Sequence, residues 1–96
     1  MKKITVKELQ HLKALAHNLS PVVMIGVNGI TDSVIKEIET NLKAHELIKI
    51  RVLGEDRDYR SSLIQHICDA TNSILVQHIG KLIIIYRQAD KPKITF

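Results

Sequence analysis

The residues of this 96-residue chain whose types and spacing could do chemistry form two groups, and the first is Gly26-Val27-Asn28-Gly29 with Ile30 and Thr31 behind it. It lies between an apolar run, Val22 to Ile25, and a helix-patterned stretch that opens at about Thr31. Glycine has no Cβ, so it takes φ > 0 and lets another backbone come close. The first amides of a helix have no internal acceptors, and the helix dipole makes that end electropositive. A strand that crosses two glycines into a helix therefore presents bare donors to an anion, and phosphate is the commonest anion of suitable shape. The bland reading is a tight strand-to-helix turn with no ligand. Asp32 in the first helical turn competes with any phosphate there. P-loop and dinucleotide chemistry do not fit, because no Gly-Lys-Ser/Thr follows and a third spaced glycine is missing.

The second group is His66, Cys68 and Asp69. On a helix Cys68 shares a face with Ile64 and Ile67 while His66 points elsewhere, so no local thiolate–imidazole pair forms. A small buried cysteine is the better description. His11 and His17 are neither an i,i+3 nor an i,i+4 pair, His45 stands near a helix end, and His78 alternates along a strand. No metal-ligand spacing results, and neither a metal nor a cofactor is expected. Glu37 and Glu39 read as a solvated helix face, and Glu55, Asp56 and Asp58 as a capping loop, so no catalytic carboxylate pair is expected. The chain is not read as an enzyme.

The net charge of +4 is modest, but it is unevenly spread. Residues 1–28 set Lys2, Lys3, Lys7 and Lys13 against Glu8, a net of +3. Residues 80–96 set Lys81, Arg87, Lys91 and Lys93 against Asp90, again +3, and residues 29–79 carry −2. If the first helix and last strand come near the glycine loop, they form one positive face for a polyanion. Gly-x-x-Gly loops clamp nucleic-acid backbones elsewhere. Tyr59, Tyr86 and Phe96 do not offer the exposed aromatics of a stacking sheet, so backbone contact should dominate over base reading.

The elements that would position these residues follow from periodicity. Thr5 and Glu8 form a capping box, after which Leu9, Leu12, Leu15, Ala16 and Leu19 recur at helical spacing until Ser20-Pro21. Val22 to Ile25 is a first strand. Val34, Ile35, Ile38 and Leu42 mark a second helix with Thr31 as N-cap. Ile48, Ile50 and Val52 alternate with Lys49 and Arg51, as in a strand with one wet face. Asp56 or Asp58 caps a third helix whose buried side is Leu63, Ile64, Ile67, Cys68 and Ala70. Ile74 to Ile79 and Leu82 to Tyr86 are strands joined at Gly80-Lys81. Leu82 to Ile85 does not alternate and should be buried on both faces. The tail from residue 88 to 96, with its charge cluster and Pro92, should be loosely held. The order αβαβαββ predicts one α/β domain over 1–96, a two-layer α+β arrangement with a mixed four-stranded sheet backed by helices. Three strands should run parallel and one antiparallel. No stretch reaches the roughly 18 apolar residues of a membrane span. With one cysteine and no signal-like segment after Lys3, the expectation is a cytoplasmic monomer with no membrane contact.

Several of these pieces match a known family together. Leu15-Ala16-His17, Pro21 before a strand, Gly26 to Thr31, Glu46-Leu47-Ile48-Lys49, Ile79-Gly80-Lys81 and Tyr86-Arg87 stand in the order seen in the CRM domain. The chain resembles the stand-alone bacterial YhbY branch of those chloroplast RNA splicing and ribosome maturation modules, over nearly its whole length. The resemblance implies an RNA-binding domain with a fold similar to the C-terminal domain of translation initiation factor three, the last strand lying inside the sheet. It also implies association with ribosomal RNA in precursors of the large ribosomal subunit. Family members often carry a basic residue inside the loop, where this chain has Val27 and Asn28. The expected RNA contacts are Gly26, Val27, Asn28, Gly29 and Thr31, with Asn28 in left-handed geometry or offering its side chain. Lys7, Lys13, Lys81 and Arg87 would flank them, with Lys91 and Lys93 adding loose contacts from the tail. The alternative is a protein-interaction module docking on a ribosomal protein through the acidic face of helix two.

Overall fold

The computed structural model describes residues 3–54 and 56–96; Lys2 and Glu55, both counted above, lie outside them. Seven elements follow in the anticipated order: α1 (Val6–Ala16), β1 (Val23–Ile25), α2 (Asp32–His45), β2 (Leu47–Val52), α3 (Arg57–Thr71), β3 (Ile74–Ile79) and β4 (Leu82–Tyr86). The caps are those the side chains dictate. The Glu8 amide donates to Thr5 Oγ1 at 3.1 Å, and Glu8 Oε1 accepts from the Thr5 amide at 3.0 Å. Thr31 Oγ1 accepts from the Val34 amide at 3.2 Å, and Asp56 Oδ1 accepts from the amides of Asp58 and Tyr59. The first helix stops at Ala16 rather than running on to Leu19. The amides of His17 and Leu19 reach back three residues, to Ala14 and Ala16, and tighten the chain out of α geometry.

The sheet runs β1-β2-β4-β3. β1 and β2 pair in parallel, while β4 pairs antiparallel with both β2 and β3. β4 is thus inserted in the sheet, which explains its unbroken apolar run. Ile83 and Ile85 face α2 and α3 in a cluster with Val23, Ile25, Ile38, Leu42, Ile48, Ile50, Val52, Leu63 and Ile67. Ile84 and Tyr86 point the other way, into a second cluster with Leu12, Ala16, Leu47 and Val76. Helices therefore cover both faces, three layers where two were expected, because the second face carries its own apolar patch for α1 to bury. The wet face expected of β2 shrinks to Arg51: Lys49 is 8% exposed and lines a groove with Leu19 and Val22.

The tail is also held more firmly than its charge and Pro92 suggested. Glu46, at the junction of α2 and β2, is fully buried, and its carboxylate accepts from the amides of Ala89, Lys93 and Ile94 at 2.6–2.8 Å. Ile94 packs on the second cluster, and Phe96 lies edge-on to Tyr86 and His11. One buried acid thus replaces the missing secondary structure of the tail.

Candidate nucleic-acid interface

Because β1 and β2 are parallel, α2 and α3 both begin at one end of the sheet, beyond the carboxyl ends of those strands. The β1–α2 connection is a tight turn with Val27 and Asn28 at its corners, closed by the Gly29 amide donating to the Gly26 carbonyl at 3.1 Å. Left-handed geometry belongs to Gly29, at φ +69°, and not to Asn28. Gly29 is glycine for two reasons, since a Cβ there would also stand 2.9 Å from the Tyr59 hydroxyl. Gly26 has neither reason: its φ is not positive, and a Cβ would meet nothing within 4 Å. Val27 is 97% exposed at the tip. Thr31 takes the Val34 amide, and helix geometry leaves the amides of Asp32 and Ser33 open toward the loop.

Backbone and side-chain bonds stitch the neighbouring loops to this turn. The Leu53 amide donates to Ile25 O at 2.9 Å and the Val52 amide to Lys81 O at 2.8 Å. Arg60 Nη1 donates to Gly54 O at 3.2 Å. Lys81 is therefore at the loop's end of the sheet, as are Arg51, paired with Leu82, and Arg57, the first residue of α3. Arg51 and Arg57 were not expected beside the loop because they sit in the acidic middle segment, where charge summed by segment hides them. The signal that finds them is topological: the carboxyl end of any strand parallel to β1 must share its end of the sheet. Acids are here too, in Asp32, Asp56 and Asp58, of which Asp56 is engaged as a cap.

Arg87, Lys91 and Lys93 lie at the other end of the sheet. Arg87 follows β4 at the opposite end, its amide donating to Glu46 O at 2.9 Å. A six-residue strand, about 20 Å long, separates that end from the loop. The Arg87 guanidinium holds both oxygens of Glu39, at 2.8 and 3.1 Å, and donates to Thr71 O at 2.7 Å. Its hydrogen bond and charge keep the Glu39 carboxyl below the ordinary value, against the opposing pull of burial. Lys91 is exposed at this far end, and Lys93 donates to Ala44 O at 2.6 Å. Lys7 and Lys13 ride on α1, on the second face of the sheet. Of the C-terminal cations, Lys81 thus lies at the loop's end and Arg87 at the opposite end. Arg87→Ala should lower stability by about 2 kcal/mol, read from chemical denaturation, because it orphans a buried carbonyl and unpairs Glu39.

His66 is exposed and Cys68 half-buried. Burial pushes the Cys68 thiol up and Asp69 adds to this, outweighing a hydrogen bond from Ser73, so the sulfur is no activated nucleophile.

The model of the CRS1 / YhbY (CRM) domain matches residues 4–87. The chain belongs to the CRM domain family. This CRM domain is 45% identical over 94 residues to an RNA-binding protein of Haemophilus influenzae, covering 98% of this chain and 95% of that one. It is 33% identical over 90 residues to YqeI of Bacillus subtilis, with 94% of each chain covered. In structure, the domain superposes on a hypothetical protein of Staphylococcus aureus solved in solution, with a TM-score of 0.83 at 41% identity and 95% coverage of both chains.

Proposed function

We infer that this CRM domain is a non-catalytic RNA-binding protein that holds the phosphate backbone of structured ribosomal RNA at the Gly26–Gly29 loop, during assembly of the large ribosomal subunit. The observation that carries the loop's role is Gly26. Nothing inside the fold requires a glycine there, yet it opens a bare turn that leads into the free amides of α2. Kinship with chains described as RNA-binding supports the class of ligand. Arg51, Arg57 and Lys81 supply the charge that Val27 and Asn28 lack, and Thr31 fixes the start of the helix. Docking on a ribosomal protein through the acidic face of α2 is the weaker reading, since Glu39 is occupied by Arg87.

The test separates fold from binding at one atom. Gly26→Ala should fold as well as the native chain, or be more stable by about 0.5 kcal/mol, because its conformation and surroundings accept a methyl group. The same methyl would hold a phosphate off the backbone, so affinity for large-subunit ribosomal RNA fragments should fall about tenfold. Gly29→Ala, by contrast, should cost about 1–2 kcal/mol of stability from its positive φ. Native binding should weaken with salt at a log–log slope of about −3 for roughly four phosphates. A flat salt response with unchanged Gly26→Ala affinity would remove the loop from the interface.

A further inference from the structure

Tyr86 is fully buried and Phe96 packs on it at the far end of the sheet, but Tyr59 is placed differently. It stands in the first turn of α3, where Asp56 Oδ1 accepts its amide hydrogen at 3.2 Å and fixes its backbone. Its hydroxyl fills the space that a Cβ on Gly29 would need, 2.9 Å away, so the ring lies beside the glycine turn. The side chain is nevertheless 40% exposed. A partly exposed aromatic side chain beside the glycine turn, which leads into backbone amides suited to phosphate, matches the two halves of a nucleotide. Arg57 is exposed on the same helical turn and can neutralise a neighbouring phosphate, against the exposed acid of Asp58.

We propose that Tyr59 stacks an unpaired base of the nucleotide whose phosphate rests on the Gly26–Gly29 loop, so that the site takes single-stranded segments of RNA. This rests on the backbone-clamp reading above and specifies its substrate. A base inside a duplex is already stacked and offers no free face, whereas a base in a loop, bulge or strand end can be splayed onto an aromatic ring. Stacking is sequence-tolerant because every base has a π-face. The site therefore discriminates unpaired from paired RNA more than one base from another.

The chain reports on itself, since it has two tyrosines and no tryptophan, and Tyr86 is shielded. Tyrosine emission of the full chain is followed while oligouridylate, or a fully paired RNA duplex of equal length, is added at low salt. Oligouridylate should quench the emission and the duplex should not. With affinities of native and variant chains read from the fluorescence anisotropy of end-labelled RNA, Tyr59→Leu should weaken oligouridylate binding about tenfold and leave duplex binding unchanged, while Tyr59→Phe, which keeps the ring, retains the native affinity. Circular dichroism checks that both variants fold. Equal oligouridylate affinity in native and Tyr59→Leu chains overturns the stacking role and leaves the backbone clamp standing. Equal losses in Tyr59→Leu and Tyr59→Phe overturn it as well, because the hydroxyl would then be bracing Gly29. If neither RNA binds the native chain, the clamp itself fails and the proposal with it.

Discussion

Glu46→Ala should destabilise the domain by about 3 kcal/mol, lowering its melting temperature on the order of 15 °C. The residue is fully buried, and its backbone sits at φ +65°, where a side chain is strained. Burial disfavours the carboxylate and by itself would raise its pKa. The amides of Ala89, Ile94 and Lys93, with the Lys93 charge, more than offset that burial and hold it below the ordinary 4.5. Removing the carboxylate leaves three tail amides without an acceptor. Either they stay buried and unpaired, or the tail detaches and takes Ile94 from the second cluster and Phe96 from Tyr86. Both outcomes cost stability, and the cheaper one sets the loss. Glu46→Gly should lose about 1 kcal/mol less, since it relieves the backbone strain while still deleting the staple. The lowered pKa fixes the sign with pH. The staple's contribution is complete above the ordinary value of 4.5 and is lost as pH falls through the lower folded value. Thermal melts from neutral to acid pH should therefore fall more steeply for the native chain than for Glu46→Ala. Some acid slope should remain in the variant, because the Glu39 carboxyl is lowered as well, by Arg87.

Local chemistry was legible in the sequence and long-range chemistry was not. Thr5, Thr31 and Asp56 act within three residues of their own position, so their caps could be read directly. The unbroken run Leu82 to Ile85 likewise announced a strand buried on both faces. Nothing in the sequence marked Glu46 as a staple, because its partners lie more than forty residues away, at Ala89, Lys93 and Ile94. Arg87 looked like a free cation for the same reason, its acceptors Glu39 and Thr71 being 48 and 16 residues distant. The glycine turn was found from its residues, but which of its members needs φ > 0 was not. The turn gave that role to Gly29 and left Asn28 an ordinary corner. Charge summed along the chain pointed to the two ends. Charge grouped by topology points to Arg51, Arg57 and Lys81, because parallel strands bring their carboxyl ends together whatever the composition between them.

That regrouping sharpens the second large effect. Val27→Asp/Asn28→Asp should cut affinity for large-subunit ribosomal RNA fragments tenfold or more, with stability within about 0.5 kcal/mol of native. Both positions are exposed and neither has a positive φ, so aspartates fit the turn, which favours them in any case. Set just ahead of α2, they also complement the helix dipole, so the free protein should tolerate them well. That same complementarity makes them competitors for a phosphate. Each carboxylate at about 4 Å from a phosphate costs between about 1 kcal/mol in bulk water and about 4 at the effective dielectric of a protein surface. Two of them reach the 1.4 kcal/mol of a tenfold change even with strong screening, and the deficit should shrink as salt rises. Lys91→Glu is the matched control, because it changes net charge by the same two units at the opposite end of the sheet. If its RNA affinity falls as far as that of the double aspartate, the loss is a matter of overall charge and the interface is not at the loop. If it falls much less, the position of the charge decides, and the position is the glycine turn.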